Sequence, residues 1–334
     1  MRIIVDAMGS DNAPEPDVAG AVRAARRFGC GILLVGRKEI VRAELAKHDT
    51  AGLAIDVAHA SQVIAMHEHP AQAVRQKDDA SVVVGMRLLR EGEGDAFVSA
   101  GNSGGVLASA LVGAGRIGRI KGVQRPAIST VIPHLAGYSF MLDVGANADV
   151  RPEWLVQFGV MGSIYAERVL GIPTPRVGLL SNGEEDTKGN AVVQEAHGLL
   201  CETCLNFVGN VEGKDITRGK ADVIVSDGFA GNVAIKTAEG TASMILTLLK
   251  REIKARPLAS LGALLAKPAF RKASAILDYR EYGGGPLLGV DGVVIIAHGR
   301  SDALAMENAV RVAVESAERN VVGTIRDHIA ASSS

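Results

Sequence analysis

Arg176-Val-Gly-Leu-Leu-Ser-Asn-Gly-Glu-Glu-Asp-Thr-Lys-Gly-Asn190 carries the fold of this chain in miniature. Val177 to Leu180 is a short apolar run behind Pro175, the pattern of a buried strand. Ser181-Asn182-Gly183 breaks the run, and Glu195 to Leu200 falls on a helical pattern. A strand therefore enters a polar, glycine-containing loop, and the loop enters a helix. Ligands of open α/β sheets sit in the crevice at the carboxyl ends of the strands. At this carboxyl end stand Asn182, Glu184, Glu185, Asp186 and Lys188. Loop amides, a lysine and a helix N-terminus suit phosphate or another oxyanion. A solvated acidic loop with an ordinary lysine is the other reading of the same residues.

Outward from this stretch the same unit recurs. Strands are expected at 2–5, 32–35, 53–57, 96–99, 127–132, 139–144, 223–226 and 293–297, with helices between most of them. A loop is expected to begin at His67-Glu-His-Pro70, and a long helical region to run to about residue 277. Such alternation predicts a mostly parallel sheet covered by helices on both faces. After Val5, Val98, Leu142, Leu180, Val225 and Ala297 the strand runs into Gly, Asn, Ser and Asp. Ser99-Ala-Gly-Asn-Ser-Gly104 and Ser226-Asp-Gly-Phe-Ala-Gly231 share S-x-G-x-x-G. Any single glycine turn is what an α/β connection needs anyway. Six such loops are expected to gather on one sheet edge as a functional crevice.

Composition narrows the class. The 334 residues are long for one core and short for three domains. One domain is expected over 1–330, with a helical hairpin near 240–280. Glycine numbers 39 and aromatics are 4%, as suits a protein of tight turns. Net charge is −1, so no global basic field attracts nucleic acid. Cys30, Cys201 and Cys204 are too few for a disulfide framework. Asp6 interrupts the place where a signal peptide needs its apolar stretch. No apolar run approaches the roughly 18 residues of a spanning helix. A cytoplasmic, soluble protein that can touch a membrane surface is expected.

Several motifs lead nowhere. Gly113-Ala-Gly-Arg-Ile-Gly118 follows a helical run instead of a strand, so it closes a helix and does not open a dinucleotide site. Cys201-Glu-Thr-Cys204 with His197 lacks a fourth zinc ligand. Neither a metal nor a cofactor is expected. His134 and His298 stand near strand ends, where a catalytic or anion-binding role is open to both. Two stretches are basic. Arg116, Arg119, Lys121 and Arg125 have no acid between them. Lys250, Arg251, Lys254, Arg256, Lys267, Arg271 and Lys272 surround only Glu252, beside Leu258, Leu261, Leu264, Leu265 and Phe270. Apolar residues beside cations suit a membrane surface, and they equally suit a partner subunit.

Seven segments, in order, resemble one family. They are Val5-Asp-Ala-Met-Gly-Ser-Asp-Asn-Ala-Pro14, Val98-Ser-Ala-Gly-Asn-Ser-Gly104, Leu142-Asp-Val-Gly-Ala-Asn147, Gly183-Glu-Glu-Asp-Thr-Lys-Gly-Asn190, Asn206-Phe-Val-Gly-Asn-Val-Glu-Gly213, Asp227-Gly-Phe-Ala-Gly-Asn232 and Tyr282-Gly-Gly-Gly-Pro-Leu-Leu-Gly289. The chain is similar in these to the bacterial phosphate acyltransferases, the PlsX family. It departs at Asn182, where the family more often has Asn-Ile before Gly-Glu-Glu, and at Gly105, where alanine is more usual.

The resemblance implies a three-layer α/β/α sandwich of the isocitrate dehydrogenase-like and phosphotransacetylase-like kind. It implies transfer of an acyl group from acyl carrier protein to inorganic phosphate, without a cofactor. A homodimer is implied too, whose product goes to the membrane glycerol-3-phosphate acyltransferase PlsY. Phosphate is itself a nucleophile, so the enzyme has to position a dianion against a thioester and stabilise the resulting oxyanion. Lys188, Asn182, Glu184 and His134 are the candidates for catalysis. Asp6, Gly9, Asn102, Ser103, Gly104, Asn147, Asp227, Gly228, Asn232 and His298 are the candidates for substrate binding. Arg116 to Arg125 is the candidate dock for the acidic carrier. The rivals are a phosphotransacetylase-like enzyme acting on short acyl-CoA and a non-catalytic membrane-associated scaffold.

Overall fold

The computed structural model describes residues 1–276 and 278–332. Its strands are β1 (Arg2–Asp6), β2 (Gly31–Gly36), β3 (Ile55–His59), β4 (Ala96–Ser99), β5 (Ala127–His134), β6 (Gly137–Leu142), β7 (Val177–Leu180), β8 (Phe207–Val211), β9 (Val223–Val225), β10 (Gly285–Leu288) and β11 (Val293–Ile296). They form one sheet in the order β3-β2-β1-β4-β11-β10-β5-β6-β9-β7-β8. On one side β3, β2, β1, β4 and β11 are parallel. On the other side β6, β9, β7 and β8 are parallel.

The centre of the sheet joins these halves by reversals. β10 is antiparallel to β11, β5 to β10 and β6 to β5. Three reversals leave β6 running opposite to β11. The carboxyl ends of β1, β4 and β11 therefore emerge at one sheet edge, and those of β6, β7 and β9 at the opposite edge. The expected crevice of six loops on one edge is thus corrected to three and three. The hairpins β10–β11 and β5–β6 together with the antiparallel pairing of β10 with β5 cause it, and an alternation of strand and helix carries no sign for strand direction. The halves also mirror each other outward from the centre: β10 with β5, β11 with β6, β4 with β9, β1 with β7.

Helices cover both faces. In the first half, α1 (Glu15–Phe28) and α2 (Lys38–Leu45) bury Val18, Ala21 and Val41 against Ile3, Val5, Ile32 and Leu34. α3 (Pro70–Gln76), α4 (Ser81–Arg90) and α5 (Ser103–Leu111) bury Val74, Val83, Met86 and Val106 against Ile4, Leu33 and Phe97. Ile3 and Ile4 thus serve opposite cores, as the two-residue period of a strand dictates. In the second half, α6 (Pro152–Arg168) and α7 (Ala191–Cys201) close on Phe140, Leu142, Val177 and Val223.

The remaining face of the second half is covered thinly, by Ile216 and Ala221 and by the start of α8 (Gly228–Lys254). Only Gly228 and Gly231 of that 27-residue helix are buried. α9 (Pro257–Leu265) and α10 (Lys267–Ile276) follow it, where a helical hairpin is expected. Leu277, the end of that expectation, lies outside the described residues. α11 (Tyr279–Tyr282) leads into β10, α12 (Ala303–Glu318) packs on α1, and α13 (Val321–Ser332) on α6. Among the described residues no helix is long and apolar enough to cross a membrane.

Three elements differ from expectation for local reasons. Pro70 opens α3 at its first turn, where a missing N–H is harmless, so the loop stops there. β8 hides its strand pattern behind Gly209, which has φ of 85°. β10 begins Gly285-Pro286, which reads as a turn until its two partners are known.

Candidate active site

At the first edge, loops after β1, β4 and β11 interlock. Asp6 is buried and accepts from the Met8 amide at 3.1 Å and the Ser99 hydroxyl at 2.8 Å. Burial pushes its carboxyl up, offset in part by the hydroxyls of Ser81 and Ser99. Asp17 accepts from the Ser10 hydroxyl at 2.7 Å, and burial with nearby Asp6 pushes it up to about 8. Gly9 lies so close to Gly101 that an added Cβ would meet its amide at 2.8 Å. Asn102 caps α5, accepting from Gly105 at 3.1 Å, and its amide group donates to Met66 at 3.1 Å. Pro70 closes over Gly104, while Ser103 faces solvent. The polar groups here mostly hold the loops to each other.

The opposite edge repeats this plan with different chemistry. Asp143 is fully buried and accepts from the amides of Ile128, Gly145, Ala146 and Asn147 and from the Asn147 side chain. Burial pushes this carboxyl up too, and the amides pull it back. Asn147 spends its side-chain donors on Asp143 and on the Pro126 carbonyl. Asp227 caps α8 by accepting from Ala230 at 2.7 Å, and Asn232 donates to the Val144 carbonyl at 2.9 Å. Gly228 has no room for a side chain beside Asn147.

Beyond β7, the loop from Ser181 to Asn190 is wound by its own side chains. Asn182 accepts from the Gly189 amide at 2.8 Å, and Asn190 caps α7. Gly189 takes φ of 92°, which a side chain would resist. Lys188 is exposed and belongs to none of the ion pairs among the described residues. Glu184 is drawn elsewhere: its carboxylate lies 3.7 Å from Lys214 and 3.4 Å from Lys220. Glu212 and Asp215 complete the group, with Lys214 on Glu212 and Lys220 on Asp215. Sequence reasoning missed both lysines, because only the β9-β7-β8 order brings residues 212–220 beside Glu184. His134 sits at the end of β5 against the Gly219 backbone, near the Arg176–Asp222 ion pair.

Between the halves lies a cavity of about 720 Å³. Its floor is Thr130 to Pro133 of β5 and Gly283 to Gly285 before β10. α8 roofs it, and Gly213, Ile216 and Thr217 wall one side. His298, Glu239 and Tyr282 bring titratable groups to it, and Thr130, Thr217, Thr237 and Thr241 bring hydroxyls. The Glu239 carboxylate lies 3.9 Å from His298, 3.4 Å from Arg300 and 3.4 Å from Lys236. Burial holds His298 below the usual histidine range. Of the candidate catalytic and binding residues, His298 alone lines this cavity among the described residues, although Gly213 and Tyr282 to Gly285 of the family segments line it too. Lys236, Glu239 and Arg300 were missed, since a helical lysine–glutamate pair at three-residue spacing looks like an ordinary surface pair.

Residues 1–324 match the family described as fatty acid synthesis protein. The chain is 53% identical to a phosphate acyltransferase of Heliobacterium modesticaldum over 98% of each chain. It is 50% identical to a phosphate acyltransferase of Pelotomaculum thermopropionicum, over 98% of this chain and 95% of the relative. In fold it is similar to the EutD phosphotransacetylase from Staphylococcus aureus, with a TM-score of 0.62 and 16% identity over 95% of this chain and 94% of that one. A branched-chain phosphotransacylase from Enterococcus faecalis follows at 0.56 and 14% identity, over 95% of this chain and 99% of the other. These likenesses bear out the three-layer, phosphotransacetylase-like sandwich.

Proposed function

This chain belongs to the phosphate acyltransferase family and is an acyltransferase, and on that premise we propose that its donor is a fatty acyl group on acyl carrier protein and its acceptor inorganic phosphate. The observation that carries this reading is the 53% identity running over 98% of both chains. The product is an acyl phosphate for phospholipid synthesis.

In the reaction a phosphate oxygen adds to the thioester carbonyl, a tetrahedral oxyanion forms, and the C–S bond breaks to release the carrier thiolate. Phosphate needs no serine or cysteine intermediate. The protein has to hold the dianion and meet the oxyanion with donors already in place. Lys188 takes the phosphate or oxyanion role, with Asn182 shaping its loop and Glu184 orienting Lys214 and Lys220. His134, expected beside Lys188, instead ends β5 at the amino ends of β6, β9 and β7, the opposite edge of the sheet, so proton handling at the Lys188 site does not fall to it. The strand-end loops divide between the two edges, Asp6 to Gly9 and Asn102 to Gly104 at one and Asn147, Asp227, Gly228 and Asn232 at the other; the second set shares the edge of Lys188 and keeps its loops tight enough for backbone amides to face substrate.

The carrier protein is acidic and docks on the exposed Arg116, Arg119, Lys121 and Arg125. Arg125 stacks 4.9 Å from the Trp154 ring, and Arg151 lies 5.9 Å from it, which extends the basic surface. The chain works as one 1–330 domain in a cytoplasmic homodimer, and it rests reversibly on the membrane through α9 and α10. Support for this comes from the exposed Leu258, Leu261, Leu264, Leu265 and Phe270 beside Lys250, Lys254, Lys267 and Lys272. There it hands acyl phosphate to PlsY. The phosphotransacetylase-like fold makes a short acyl-CoA the rival donor. Purified protein given acyl-carrier thioester and radiolabelled phosphate should release free carrier thiol and form labelled acyl phosphate, both only when phosphate is present. A thioester that survives with phosphate present would overturn the reading.

A further inference from the structure

The 720 Å³ cavity under α8 has an occupant that its chemistry singles out. Val131, Ile132, Ile216, Ile235, Ile245 and Leu246 supply most of its walls. Titratable side chains are confined to His298, Glu239 and Tyr282. Along the roof, Ala234, Ala238 and Ala242 recur every four residues and so lie in one row. Small side chains in a row leave a furrow, here spanning about 12 Å of helix. The volume lies within the 300–1,000 Å³ typical of pockets that enclose a small ligand. Water in such a furrow finds few partners, and a nucleotide finds no cation on the apolar walls. The hydroxyls of Thr130, Thr217, Thr237 and Thr241 are spread among these aliphatic walls, and a flexible, unbranched hydrocarbon fits both the shape and the predominantly apolar lining.

The polar corner fixes which part of a substrate lies where. His298, Glu239, Lys236 and Arg300 stand together at the His298 side of the cavity. Across it, Gly213, Ile216 and Thr217 belong to the same segment that carries Lys214 and Lys220 to Glu184. A chain seated in the furrow thus has its methylenes among aliphatic side chains and cationic groups close by on either side.

We propose that this cavity seats the hydrocarbon of the acyl donor, and that Ala238, Ala242 and Ile245 set how long a chain it accepts. This rests on the acyl transfer reading above and adds the specificity residues to it. Each methylene moved from water into such a pocket contributes about fourfold in affinity. Filling the furrow therefore has to penalise long chains more than short ones.

The test uses Ala242→Phe and Ile245→Ala in the full chain, with hexadecanoyl and hexanoyl carrier thioesters and with cis-parinaric acid, a fluorescent long-chain fatty acid, as a binding probe. Ala242→Phe should weaken parinaric acid binding about tenfold and lower kcat/KM for the hexadecanoyl donor about tenfold more than for the hexanoyl donor. Ile245→Ala should move the same ratio toward longer chains. Equal losses for both donors, or unchanged probe binding in a folded Ala242→Phe protein, would overturn the proposal. If Ala242→Phe does not fold, an unchanged donor ratio in Ile245→Ala overturns it alone. A wild type that binds parinaric acid yet makes no acyl phosphate would refute the transfer reading and leave the cavity's occupant standing.

Discussion

Ser99-Ala-Gly-Asn-Ser-Gly104 and Ser226-Asp-Gly-Phe-Ala-Gly231 occupy matching places in the two halves of the sheet. Each begins with a buried serine tied to an aspartate of the neighbouring strand end: Ser99 donates to the Asp6 carboxylate, Ser226 to the Asp143 carbonyl. Each also supplies a helix cap, Asn102 for α5 and Asp227 for α8. The helices then diverge. α5 ends after nine residues with Val106, Ser109 and Ala110 buried. α8 runs three times as far and buries two glycines. One turn design thus starts a core helix in the first half and, in the second, a helix whose apolar side roofs the cavity. A strand-end motif fixes how a helix begins, and the residues beyond it decide whether that helix serves stability or substrate.

The two edges separate most clearly at their buried aspartates. Asp143→Ala strands the buried Ile128 amide, the part-buried amides of Gly145, Ala146 and Asn147, and the Asn147 side chain, and should cost about 3 kcal/mol. Asp6→Asn keeps a hydrogen-bonding side chain where burial already disfavours charge, and should cost about 1 kcal/mol. Urea denaturation of both variants checks the pair, and equal losses would mean that the two edges are held alike. Next in size, Lys188→Ala should leave the fold intact and lower turnover by roughly a hundredfold. Near-normal turnover in the folded variant would move the phosphate site out of the β7 loop, toward Lys236 and Arg300. Smaller still is the effect expected at the far end of α8. Leu258→Glu with Leu261→Glu should abolish sedimentation with anionic liposomes and spare activity on soluble donor. Persisting sedimentation, or dissociation into monomers, would make α9 a subunit contact.

The sequence carried much of this. Strand–loop–helix units were legible because apolar runs, glycine turns and caps are local. What it could not carry was strand direction, which three antiparallel pairings at the centre reverse, and β10, whose Gly285-Pro286 start looks like a turn. At the site, Lys188 and the cap residues were visible as a pattern. The inward turn of Asn147 and Asn102 was not, since their partners at Pro126 and Met66 lie some 20 and 36 residues away in the chain. Lys214, Lys220 and the Glu239 cluster depend on which strands are neighbours, and no local pattern encodes that.

The central claim is that this acyltransferase uses a long acyl group on an acidic carrier protein. One competition measures it directly: hexadecanoyl carrier thioester and acetyl-CoA offered together at equal concentration with radiolabelled inorganic phosphate, and the two labelled acyl phosphates separated and counted. The account expects the long-chain product to dominate at low salt, with its lead shrinking as salt screens the Arg116 to Arg125 patch. Acetyl phosphate as the main product, indifferent to salt, would contradict it.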